Sequence, residues 1–97
     1  MTQADLLKLL QTDINLLLPD ETRVAQLTHL INTAIQFIRR EGAALSEPYN
    51  AEDGQLIVMY AAYLFRKRAT NEAMPRMLRW ALNNRIFSGK AGAEDAT

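Results

Sequence analysis

Apolar residues recur along this chain at helical spacing, and the pattern predicts four helices. Leu6, Leu7, Leu9 and Leu10 crowd one side of a segment from Thr2 to about Gln11, with Thr2 placed to cap it. The stretch Asp13 to Leu18 is apolar at Ile14, Leu16, Leu17 and Leu18 but ends at Pro19, so it reads as a loop that tucks leucines against the core. A second helix is predicted from about Asp20 to Glu41. Val24, Leu27, Ile31, Ala34 and Ile38 step by 3, 4, 3 and 4 there, and Leu30, Ile35 and Phe37 widen the stripe enough to face more than one neighbour. Asp20 and Glu21 suit the positive end of its dipole, Arg39 and Arg40 the negative end, and Gly42 is a natural stop.

Pro48 biases Glu47 away from helix, so Ala43 to Tyr49 reads as a connection. Asn50 then caps a third helix running to about Ala69, with Glu52 and Asp53 as acids in its first turn. Its run from Leu56 to Phe65 is apolar at ten successive positions, which covers every side of a helix. Such a helix is either central to the bundle or buried between subunits. Asn71 is a candidate cap and Pro75 stands near a first helical position. The fourth helix follows to about Arg85, with an apolar side of Met74, Met77, Leu78, Ala81 and Leu82. Ser88 to Thr97 is small and polar and reads as a flexible tail. The expected architecture is all-α, a bundle of about four helices forming one domain over residues 1–87, with the tail at 88–97.

Composition narrows the class. The chain has 97 residues, 48% of them hydrophobic, which fits one small globular domain. A ten-residue apolar run is half of what a bilayer span needs, and Asp5 and Lys8 interrupt any secretory pattern, so neither membrane insertion nor export is expected. With no cysteine there is no disulfide framework and no thiolate. Net charge is zero but unevenly spread. Residues 1–65 hold four basic against eight acidic residues, a net of −4, while residues 66–90 hold seven basic against one acidic, a net of +6. Such a chain can pair with copies of itself or offer its basic end to an acidic partner.

Catalytic sets do not emerge from this sequence. His29 has Ala25, Gln26, Asn32 and Thr33 at helical neighbour positions, none of them an acid-base partner, so it reads as a surface or packing histidine. Glu52 and Asp53 point about 100° apart on their helix and read as capping acids. Glycines 42, 54, 89 and 92 are too scattered for a phosphate loop. Neither enzyme activity nor a metal or cofactor is expected. Partner contact is the better expectation. Arg66, Lys67 and Arg68 end the third helix, where a basic cluster also suits the helix dipole. Arg76 and Trp80 share a face, Arg79 lies beside them, and tryptophan and arginine are the residues most enriched at binding hot spots. Asn83, Asn84 and Arg85 are polar enough to fray the helix or to present hydrogen-bonding groups.

Several segments together carry a resemblance: Thr12-Asp13 after a leucine-rich helix, LTHLINTAIQFIRREG, MYAAYLFRKR, and above all MPRMLRWALNNRIFS. Their order and spacing over residues 5–88 resemble the small head-tail connector, or adaptor, proteins of siphophages and prophages. The resemblance implies an all-helical subunit of a ring, commonly a dodecamer, that binds beneath the portal protein, extends the DNA conduit and offers a docking platform to a tail-side stopper or tail-completion protein. It implies residence in host cytoplasm before assembly and at the head-tail interface of the virion afterwards. DNA would pass through the ring without sequence-specific binding, and no membrane is involved. By the same resemblance the segment from Arg85 to about Lys90, with the tail, docks onto the portal, although Ser88 to Thr97 is short for that task. Arg66, Arg68, Arg76, Arg79, Trp80, Arg85, Ile86 and Phe87 are the expected contacts to portal or neighbouring subunit. The competing reading is a small DNA-binding regulator that uses its last helix, with Arg76, Arg79 and Arg85 on phosphates or bases. A pI near 6.6 and the lack of a helix-turn-helix glycine before Pro75 weigh against it.

Overall fold

A computed structural model of the chain describes residues 1–16, 20–70 and 73–95, and it is all-α with four helices in sequence: α1 (Gln3–Asp13), α2 (Glu21–Arg40), α3 (Ala51–Thr70) and α4 (Arg76–Asp95). Each start has a local cause. Thr2 and Asp5 form a capping box: the Asp5 carboxylate accepts from Thr2 N–H at 2.9 Å, and the Thr2 hydroxyl accepts from Asp5 N–H at 3.4 Å. The bond from the Thr2 backbone holds the Asp5 carboxyl below its ordinary range. Asp20 caps α2 by accepting from Arg23 N–H at 2.8 Å, and Asn50 caps α3 by accepting from Asp53 N–H at 2.7 Å.

The first two helices end by the same device. After α1 the backbone turns left-handed at Asn15 (φ 62°), so Asn15 N–H donates to Thr12 C=O and Leu16 N–H to Gln11 C=O. After α2 it does so at Gly42 (φ 117°), with Gly42 N–H on Arg39 C=O and Ala43 N–H on Ile38 C=O. Leu16 then folds back onto the core, as expected of the loop; its companions Leu17 and Leu18 lie outside the described residues. Gly54 in α3 serves close approach instead. A Cβ there would meet Met1 Sδ and crowd Leu6 Cδ2, so the bare backbone leaves room for both side chains over α3.

The ten-residue apolar run of α3 resolves inward. This helix packs against α1, α2 and α4, and Leu56, Ile57, Val58, Tyr60, Ala61, Ala62 and Tyr63 are buried within the single chain. Met59, Leu64 and Phe65 are half-buried against the same core. Of the two places predicted for this helix, the structure supports the bundle centre, and the run leaves little surplus for a neighbouring subunit. Burying one such side chain contributes roughly 1.5–3 kcal/mol, so α3 is the thermodynamic centre of the domain.

Helix α4 follows Pro75, as expected, but its backbone runs on to Asp95, ten residues past the expected end. The helix backbone thus continues into the C-terminal tail expected from Ser88. Leu78 and Leu82 are its fully buried anchors. Met77, expected on the same apolar side, lies 100° round the helix from Leu78 and is 73% exposed. Among the described residues no helix is long and apolar enough to cross a membrane.

Candidate functional site: the outer face of the last helix

Helix α4 carries two apolar stripes. Leu78 and Leu82 face α3, while Met77, Trp80 and Phe87 point outward and are 73%, 68% and 73% exposed. With Asn84 they step along α4 by 3, 4 and 3, the spacing that keeps side chains on one face. Trp80 and Phe87 stand over a groove of about 650 Å³ between α4 and the N-terminal half of α3. Leu56, Met59 and Ala81 supply its apolar lining, and Glu52, Gln55, Asn84 and Ser88 its polar rim. Three large apolar side chains left in water beside a preformed groove are what a binding surface needs, since covering them releases free energy without refolding the helix.

Ion pairs hold α4 in place below this face. Arg85 reaches inward, its Nε donating to Asp53 Oδ1 at 2.6 Å and its Nη2 to Ala44 C=O at 2.8 Å. The Asp53 and Arg85 side chains are only 8% and 21% exposed, so this pair is held away from water. Arg79 donates to Glu41 Oε1 at 2.9 Å and Arg66 to Asp13 Oδ2 at 3.3 Å, both near the surface. Each pair joins an acid of residues 1–65 to an arginine of residues 66–90. Much of the charge asymmetry read as a means of pairing subunits is therefore spent inside one chain.

The expected contact residues separate accordingly. Trp80, Phe87 and Arg85 meet at one groove, with Arg85 tied back by Asp53. Ile86 is half-buried and faces inward, its Cγ2 3.5 Å from where a Cβ on Gly42 would stand. Arg76 is exposed on the outer side of α4 and makes no ion pair among the described residues. Arg66 and Arg68 belong to the far end of α3. There Arg68 lines a shallow hollow with Arg23 and Phe65, and the Arg23 guanidinium lies 5.7 Å from the Phe65 ring centre. Asp53 stands in the first turn of α3, as expected of a capping acid, and is also the buried partner of Arg85. Asn83 and Asn84 sit within a continuing helix and do not fray it.

His29 opens onto a separate polar depression with Gln36, Arg39 and Glu47. Sequence spacing gave no hint of Glu47 there, because it comes from the α2–α3 connection. No serine, threonine or cysteine lines this depression, and among the described residues no cluster of three metal-ligating side chains forms. Compared with protein-family profiles, characterised proteins and solved structures, the chain matches none.

Proposed function

We propose that this protein is a head-tail connector subunit of a tailed bacteriophage or prophage, one that acts by binding proteins and not by catalysis. The observation that carries the reading is the outward stripe of Met77, Trp80 and Phe87, which lies within MPRMLRWALNNRIFS, the segment that most resembles connectors. A ring subunit needs an apolar surface that survives folding of the monomer, and α4 supplies one. In this role the ring sits beneath the portal, extends the DNA conduit and gives the next head-completion or tail protein its platform. Trp80 and Phe87 are the contacts to portal or neighbour, with Arg76 and Arg68 as exposed charges. The regulator reading is weakened, because Arg79 and Arg85 are engaged by Glu41 and Asp53 and only Arg76 of that trio is unpaired among the described residues.

Electron microscopy of the purified protein, alone and mixed with the portal ring encoded in the same genome, tests the proposal. The expected result is a second ring of density beneath the portal. Absence of any portal complex, together with nanomolar sequence-specific DNA binding at physiological salt, would favour the regulator.

A further inference from the structure

We propose that the hollow where the last turn of α3 meets the first turn of α2 binds a phosphate group, held between the guanidinium groups of Arg23 and Arg68. Both side chains are exposed and line the same hollow, and Gln26 and Phe65 complete its lining among the described residues. No carboxylate of the described residues lines it, and neither guanidinium makes an ion pair among them. Three other arginines are satisfied within the chain: Arg66 by Asp13, Arg79 by Glu41 and Arg85 by Asp53. The dipole of α3 accounts for a cation in its last turn, but not for one turned across to α2 toward a second cation. Two like charges facing one space repel, and an anion seated between them converts the repulsion into two attractions.

One of the two cations is already held in position. The Arg23 guanidinium lies over the Phe65 ring, 5.7 Å from its centre, and its Nη1 donates to Gln26 Oε1 at 2.8 Å. Ring and amide restrain the plane of the group and leave its Nε and Nη2 hydrogens for a ligand. A guanidinium fork matches the paired oxygens of phosphate or carboxylate. A phosphate presents oxygens on several sides and can accept from both forks at once, whereas a planar carboxylate satisfies one. Size narrows the class further. The hollow holds about 250 Å³, below the roughly 300–1,000 Å³ of pockets that enclose a whole drug-sized ligand, so it takes a single phosphoryl group and leaves what bears it in solvent. A small phosphate compound and the backbone of a nucleic acid both present such a group. The inference goes beyond the connector reading, which uses Arg68 only as an exposed charge.

Solution NMR of the full chain tests the site. Inorganic phosphate should shift the Nε–H signals of Arg23 and Arg68 and the backbone amides around Phe65, saturating at on the order of 10 mM as befits an exposed site. Chloride or acetate at matched ionic strength should leave them in place. Arg23→Gln combined with Arg68→Gln should weaken phosphate binding by about tenfold or more. Arg40 also lies over a ring, 5.8 Å from the centre of Phe37, and is about 25 Å from Arg23 along α2 at 1.5 Å per residue. Arg40→Gln should therefore leave phosphate binding unchanged. The dispersion of each spectrum checks that the variant is folded. Short duplex DNA of arbitrary sequence separates the two sources. Shifts of the same signals at about a tenth of the phosphate concentration identify a nucleic-acid backbone; shifts that need as much or more identify a small phosphate compound. No saturable shift with phosphate, equal shifts with acetate, undiminished binding by the Arg23 and Arg68 double variant, or loss of binding in Arg40→Gln would each overturn the inference. Portal is present in none of these measurements, so they succeed or fail independently of the connector reading.

Discussion

Helices α3 and α4 are both twenty residues long, yet they treat apolar surface in opposite ways. In α3 the apolar residues run consecutively and the fold uses them on every side, against α1, α2 and α4. In α4 they fall into two stripes, and only the stripe of Leu78 and Leu82 finds a partner within the chain. An uninterrupted run thus marks the centre of this protein, while a second stripe, interrupted by Asn84, is left in water and is the surface proposed for contact. Hydrophobic density alone would have pointed to α3 and not to the helix whose apolar side chains stay in water.

The largest effect expected from this contrast is at Ile57, which is fully buried in the N-terminal half of α3. Ile57→Ala should cost about 4 kcal/mol, read from urea unfolding, since a fully buried core side chain leaves a cavity its neighbours only partly fill. That is a large share of the total stability of a domain this size. A cost under about 1 kcal/mol would mean that α3 is not the centre described.

Next comes the tie between the two regions. Arg85→Ala leaves the Asp53 carboxylate buried without its partner and should destabilise the protein by about 3 kcal/mol, lowering the melting temperature by on the order of 15 °C. Arg79→Ala, which opens only the near-surface pair with Glu41, should cost about 0.5 kcal/mol. Equal costs at the two sites would show that burial does not distinguish the pairs.

These residues also mark how far the sequence could be read. Caps and stops were legible because their chemistry is local: Thr2, Asp20, Gly42 and Asn50 act within a few residues of themselves. Four helices and most core positions followed from periodicity. What stayed hidden depends on distant partners. Asp53 looked like any first-turn acid until the fold brought Arg85 to it from 32 residues away. Met77 sits beside Leu78 in sequence, and only the docking of α4 decides which of them turns to water. Trp80 stood out by residue type, Phe87 through the resemblance and Asn84 through its polarity, whereas Glu52, which lines the same groove from α3, read only as a first-turn acid.

A smaller effect follows from Tyr60 in α3. Burial is the main cause that raises its phenol pKa above the ordinary value of about 10, with Glu41 adding to it and Arg79 opposing. The sign is that of an acid held neutral: the unfolded chain releases the proton first, so stability is intact below pH 10 and falls as pH rises through the folded value. Melting temperature followed from pH 8 to 11 should decline, and Tyr60→Phe should flatten the decline. An equal slope in both proteins would assign the alkaline loss to other groups.

The smallest expected stability change lies on the outer stripe of α4, and it is the sharpest test of the contrast. Trp80→Ser with Phe87→Ser removes two of the largest side chains in the protein, yet both stand mostly in water, so unfolding free energy should move by about 0.5 kcal/mol or less. Leu82→Ala, two residues from Trp80 but fully buried, should cost about 2–5 kcal/mol. Urea unfolding separates the two cases, with circular dichroism confirming that helix content is kept. The outward double variant should at the same time lose the portal binding proposed for this face, because the free energy those rings release on leaving water is available only to a partner. Should the double variant unfold as readily as Leu82→Ala, the two rings belong to the core and α4 has one apolar face. Should it stay folded and bind portal as well as the parent, the contact surface lies elsewhere on the molecule.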